Sequence, residues 1–137
     1  MELSLKDKVA LVTGASRGIG KAIAKAYADA GASVMLSSRK QDALDAAAEE
    51  IGGDVDVVVA NAGDPEQAAA AVARCVERFG AVDILVNNAA TNPYFGSVMD
   101  IDLGRYDKTF EVNLRGMVVW TQEAWRRSMQ ELSLIHI

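Results

Sequence analysis

The stretch TGASRGIG, residues 13–20, follows the apolar run VALV directly and constrains the fold more than any other feature of the chain. Its glycines fall at Gly14, Gly18 and Gly20, a G-x-x-x-G-x-G spacing rather than G-x-G-x-x-G. A short β-branched run that ends in glycines reads as a buried strand turning into a helix. At such a junction the free N–H groups of the first helical turn and the helix dipole favour an anion, so the loop reads as a phosphate cradle. Gly14 permits the tight turn, Gly18 lets the backbone approach a phosphate, and Gly20 lets the helix pack closely on the sheet.

The rest of the chain repeats the pattern of apolar run and helical stretch. After the strand at residues 9–12 comes KAIAKAYADAG, with Ile23, Ala26, Tyr27 and Ala30 at helical spacing and Gly31 as the stop. SVMLSS (residues 33–38) reads as a second strand, residues 42–51 as a helix, and residues 55–60 as a third strand. Residues 65–79 read as a helix with Pro65 in its first turn, and residues 82–86 as a fourth strand. Residues 87–102 read as loop, and residues 103 to about 131 as one long helix. Strands alternating with helices predict an α/β fold, a Rossmann-like doubly wound parallel sheet. The continuously apolar strands agree with a sheet covered on both faces. No internal repeat or linker divides the chain, so residues 1–131 read as one domain.

Charge and cysteine usage narrow the class. The net charge is −5 and the isoelectric point about 4.8, which argues against nucleic acid or an anionic membrane as a partner. The N-terminus MELSLKDKVALV mixes acid and base where a secretory leader needs an apolar run. The single cysteine, Cys75, cannot form an internal disulfide and reads as core packing, so a cytoplasmic setting is expected. No metal site is expected.

Two further motifs follow the glycine loop in order: NNAA (residues 87–90) at the end of the fourth strand, and Asn113 in EVNLRG. Together the three motifs resemble the short-chain dehydrogenase/reductase family, whose loop is T-G-x-x-x-G-x-G, whose strand end is N-N-A-G, and whose active site holds a helix asparagine. Within it, TGASRGIG with NNAATNP resembles the 3-oxoacyl-carrier-protein reductases and carbonyl reductases. The departure is Ala90 for the usual glycine. The resemblance implies an oxidoreductase that uses NAD(P)(H) on a carbonyl or secondary alcohol, working as a homo-oligomer, a dimer or tetramer. It implies cofactor contacts from Gly14, Ala15, Ser16, Arg17, Gly18, Ile19 and Gly20, then Ser38 and Arg39, Asn61 and Ala62, and Asn88, Ala89 and Ala90. An acid at the end of the second strand would select NAD(H). SSRK stands there, with no acid before Asp42. A guanidinium suits a 2′-phosphate, and Arg17 adds a second charge, so NADP(H) is expected and NAD(H) is the alternative. The amide of Asn61 suits an adenine edge. Asn88 is also read as a tie between strand ends.

Of the family's catalytic set only Asn113 stands in this sequence. A catalytic tyrosine is followed four residues later by a lysine that lowers its pKa. Tyr27, Tyr94 and Tyr106 are followed at that distance by Gly31, Val98 and Phe110. Tyr27 therefore reads as core, Tyr94 as part of a loop bordering the substrate mouth, and Tyr106 as part of the long helix. The serine, tyrosine and lysine are expected beyond Ile137. The last six residues, LSLIHI, can be encoded by CTGTCTCTTATACACATC, which resembles a transposon end used as a sequencing adapter. They are expected to be a non-native tail, in which His136 carries no chemistry. Such a truncated chain would hold the cofactor half only, be inactive, and expose Met117, Val118, Trp120 and Trp125 on its long helix. The rival reading is a non-catalytic dinucleotide-binding or sensor protein.

Overall fold

The computed structural model describes residues 3–132. Four strands, β1 (Val9–Thr13), β2 (Ser33–Ser38), β3 (Val55–Val59) and β4 (Ile84–Val86), form one parallel sheet in the order β3-β2-β1-β4. β1 lies in the middle. It pairs with β2 from Val9↔Ser33 to Thr13↔Ser37, and with β4 from Ala10↔Ile84 to Val12↔Val86. The helices are α1 (Gly18–Asp29), α2 (Gln41–Ile51), α3 (Pro65–Phe79) and a long α4 spanning residues 103–132.

Each face of the sheet has its own core, because successive strand residues point to opposite sides. Ala10, Val12, Val34 and Leu36 face α1 and α2 and pack with Ala24, Leu44 and Ala47. Val9, Leu11 and Met35 face α3 and α4 and pack with Val72, Cys75, Trp120 and Ala124. The expected doubly wound α/β architecture is therefore observed. Among the described residues no helix is long and apolar enough to cross a membrane.

Local chemistry sets the boundaries. Asp64 caps α3, its Oδ1 accepting from the N–H groups of Glu66 at 2.9 Å and Gln67 at 3.2 Å, and Pro65 follows in the first turn. Gly80, at φ 89°, ends the helix in a left-handed conformation. Helix α1 starts at Gly18, earlier than the apolar spacing alone predicts, so Gly18 and Gly20 belong to its first turn. β4 is shorter than its apolar run. The N–H and carbonyl of Val82 bond to the Ser128 hydroxyl instead, at 2.8 and 3.2 Å. Within residues 87–102, one short 3₁₀ turn forms at Val98–Asp100, capped by the Ser97 hydroxyl.

Helix α4 is not a uniform α-helix. It is α-helical over Leu103–Phe110, π-helical over Glu111–Gly116, α-helical again over Met117–Ala124 and π-helical over Trp125–Met129. The four apolar side chains expected on its open face divide. Trp120 is only 1% exposed and belongs to the core, whereas Met117, Val118 and Trp125 are 40–47% exposed. Tyr27 packs against the core as expected. Cys75 is fully buried, its Sγ 3.8 Å from the carbonyl of Ala81, and burial pushes its thiol pKa up to about 12. The tail expected at residues 132–137, with His136, lies outside the described residues save for the backbone of Leu132.

Candidate functional site

The carboxyl ends of all four strands open onto one cleft of about 470 Å³. Such clefts form in open parallel sheets where the order of strands reverses, and here that point is the gap between β1 and β4. Of the residues expected to bind a cofactor, twelve line the cleft: Gly14, Ser16, Arg17, Gly18, Ile19, Ser38, Arg39, Asn61, Ala62, Asn88, Ala89 and Ala90. Ala15 and Gly20 do not. The Ala15 side chain is fully buried in the core under α1, and its N–H donates to the carbonyl of Ser37 at 3.1 Å. Gly20 stands behind the loop, where a Cβ would collide with the carbonyl oxygen of Gly14.

The loop owes its shape to two backbone demands. Gly14 and Gly18 take φ of 63° and 55°, which side chains disfavour. A Cβ at Gly14 would lie 2.9 Å from Nδ2 of Asn88, whereas one at Gly18 would meet nothing within 4 Å. Gly14 is thus packed against the sheet, while Gly18 borders open space in the cleft.

Thr13 and Asn88 tie the loop to the end of β4. The Thr13 hydroxyl donates to the carbonyl of Val86 at 3.2 Å and accepts from the N–H groups of Asn88 and Ala89 at 3.1 and 3.0 Å. Nδ2 of Asn88 donates to the carbonyls of Thr13 and Gly14 at 3.1 and 3.2 Å. Both of its hydrogens are thereby used, and Asn88 serves as the expected strand tie at the same time as it lines the cleft.

At the end of β2 the Ser38 hydroxyl is buried and has no hydrogen-bond partner among the described residues. Arg39 follows it, and Arg17 lines the same cleft from the glycine loop. Neither guanidinium has an ion-pair partner among the described residues. At the end of β3, Asn61 is held in a turn. Its Oδ1 accepts from the N–H of Gly63 at 3.0 Å, and its own N–H donates to Oε1 of Gln67 at 2.7 Å.

Asn113 is exposed and sits in the first π-helical segment of α4. Its amide clasps one residue of the segment after β4: Oδ1 accepts from the N–H of Thr91 at 2.7 Å and Nδ2 donates to the Thr91 carbonyl at 2.8 Å. Tyr94 is turned into its own loop, its hydroxyl donating to the carbonyl of Ser97 at 2.8 Å. Tyr106 packs on Phe110, ring centres 4.8 Å apart, in α4 as expected.

Six lining residues escape the sequence reading: Thr13, Ser37, Ala60, Thr91, Lys108 and Val112. Thr13 opens the glycine motif itself, and Ser37 and Ala60 adjoin Ser38 and Asn61 at strand ends. Lys108 belongs to no motif, and Val112 only neighbours Asn113 in EVNLRG. They reach the cleft only because α4 packs over the loop between β3 and α3. Trp120 Nε1 donates to the carbonyl of Ala62 at 3.1 Å, and Arg115 to that of Gly63 at 3.0 Å.

The short chain dehydrogenase family model matches residues 8–133, and the chain belongs to that family. It is 43% identical over 121 residues to the human dehydrogenase/reductase SDR family member 4, covering 86% of this chain and 44% of that protein. A blue fluorescent protein from a metagenomic library, solved in complex with NADPH, superposes with TM-score 0.85 at 33% identity, over 91% of this chain and 53% of that one. The 3-ketoacyl-(acyl-carrier-protein) reductase of Brucella melitensis, complexed with NADH, superposes with TM-score 0.83 at 36% identity, over 88% and 50%. The chain thus spans about half the length of the proteins it matches.

Proposed function

We propose that this chain is the nucleotide-binding part of an NADP(H)-dependent oxidoreductase acting on a carbonyl or secondary alcohol. The observation that carries the cofactor choice is the partnerless Ser38 hydroxyl beside Arg39, with Arg17 lining the same cleft and no carboxylate at that strand end. A buried hydroxyl without a partner is costly, and a 2′-phosphate would supply its acceptor. The open space at Gly18, in the first turn of α1, suits a pyrophosphate approaching the backbone N–H groups. Asn61, Ala62 and Ala89 would hold the adenosine. The nicotinamide, when bound, supplies or takes up a hydride. Asn113 would act as a positioning residue, through its clasp on Thr91 beside the cleft. The same reading carries a cytoplasmic setting and a homo-oligomeric assembly.

Arg39→Asp tests it. Titration calorimetry with NADPH should show binding weakened roughly 10- to 100-fold, the worth of a lost charge-assisted contact. Binding of NADH should change far less. Equal loss for both would remove the 2′-phosphate role of Arg39.

The rival reading is a dinucleotide-binding protein without turnover. Reading the source locus past codon 131 separates the two. A downstream Y-x-x-x-K, together with NADPH oxidation by its product, supports the enzyme. A stop codon directly after Ile137 supports the binding protein.

A further inference from the structure

Helix α4 lays one stripe of residues along the loop between β3 and α3. Trp120 and Arg115 bond to the carbonyls of Ala62 and Gly63. At Gly116 a Cβ would stand 2.5 Å from the Ala62 carbonyl oxygen, and at Gly63 a Cβ would stand 3.0 Å from Cγ2 of Val112. Lys108 lies four residues before Val112, one turn further along the same stripe. The stripe therefore carries Lys108 past Gly63 to the end of the cleft walled by Asn61 and Ala62, which Lys108 lines.

The wall and the cation differ in freedom. Asn61 is fixed from both sides by Gly63 and Gln67. The Lys108 ammonium is 3.9 Å from Oε2 of Glu111, beyond hydrogen-bond range, and both side chains are more than a third exposed. The ammonium is therefore held loosely by a neighbouring charge at the edge of a rigid recess. An ammonium has three donors and no acceptor, so any ligand group it meets must offer a lone pair. The anionic parts of a dinucleotide have their places elsewhere, at the glycine loop and at Ser38–Arg39. What remains for the recess at Asn61 and Ala62 is the base, whose ring nitrogens are acceptors.

Resting on the reading of the cleft as a dinucleotide site, we propose that Lys108 is a further cofactor-binding residue that donates to a ring nitrogen of the adenine, Glu111 holding the ammonium while the cleft is open. The base is common to both cofactors, so the contact strengthens NADP(H) and NAD(H) alike. This separates Lys108 from Arg39, which discriminates between them.

The test is titration calorimetry of the protein and its Lys108→Met variant with NADP⁺ and with NAD⁺. Met keeps the length of the stem and removes the charge. Both dinucleotides should bind roughly tenfold more weakly to the variant, by the same factor, with the melting temperature unchanged. Affinities equal to those of the unsubstituted protein overturn the proposal and leave the cleft reading intact. A loss confined to NADP⁺ overturns it too, since Lys108 would then serve the 2′-phosphate. Failure of the unsubstituted protein to bind either dinucleotide overturns the cleft reading itself and the proposal with it. If Lys108→Met does not fold, Lys108→Gln gives the same comparison.

Discussion

Two segments leave the sheet side by side and shape the same cleft: the loop after β1 and the segment after β4. They are built in opposite ways. The first is fixed by what its backbone permits. Gly14 and Gly18 are left-handed, and Gly20 has no room for a Cβ. The second is fixed by side-chain hydrogen bonds with partners far away in the sequence. Asn88 reaches back to Thr13 and Gly14, and Asn113 reaches back to Thr91. Beyond Thr91 these ties thin out, and Phe95, Val98, Met99 and Leu103 stand 76–98% exposed. The rigid half of the site is thus the half that the glycines encode. The other half depends on a few hydrogen bonds to hold its start in place.

Three substitutions sharpen this contrast. Gly20→Val should be the most damaging, because its Cβ would overlap the Gly14 carbonyl and neither backbone can give way. A loss above about 3 kcal/mol is expected in chemical denaturation. A loss below about 1 kcal/mol would mean that the loop is not limited by space. Asn88→Ala comes next. It leaves the Thr13 and Gly14 carbonyls without their donor in a partly buried setting, at a cost of about 2 kcal/mol. The Gly14 turn should loosen with it, seen as faster amide exchange at Ala15 and Ser16. Asn113→Ala should cost least, about 1 kcal/mol, since the clasp is exposed. Its signature is local: faster proteolysis within residues 91–102 with little change in global melting. If Asn113→Ala lowered the melting temperature as much as Asn88→Ala, the two segments would not differ in the way described.

The same contrast explains what the sequence could reveal. The strands, the first three helices and the glycine loop are legible because their causes are local. Pro65 and Gly80 bracket α3, and the glycine spacing defines the loop whatever surrounds it. The length of β4 is not legible, since the Ser128 hydroxyl that engages Val82 lies 46 residues away. Twelve of the fourteen expected cofactor positions line the cleft. Ala15 does not, because the turn that presents its neighbours sends its own methyl into the core. Nothing in the sequence sets Lys108 apart from a solvated helix charge. Only the docking of Trp120 and Arg115 onto the Ala62–Gly63 carbonyls brings it to the cleft, and that docking has no sequence signature. The burial of Trp120 escaped for the same reason.

The π-helical segment Glu111–Gly116 has a consequence for how the gene can change in length. A π turn accommodates one residue more than an α turn. At about 100° per residue, the twelve steps from Lys108 to Trp120 would leave these side chains about 120° apart on a plain α-helix. With one residue absorbed in the bulge, eleven effective steps bring them within about 20° of each other. The bulge therefore behaves as a stored insertion. Deleting the exposed Leu114 would discharge it, leaving an ordinary helix with Lys108 and Trp120 still in line. Deleting a residue from the α-helical Met117–Ala124 has no such reserve. It would swing Ala124 about 100° away from the core, and only discharge of the second bulge, Trp125–Met129, would bring the residues beyond it back into phase.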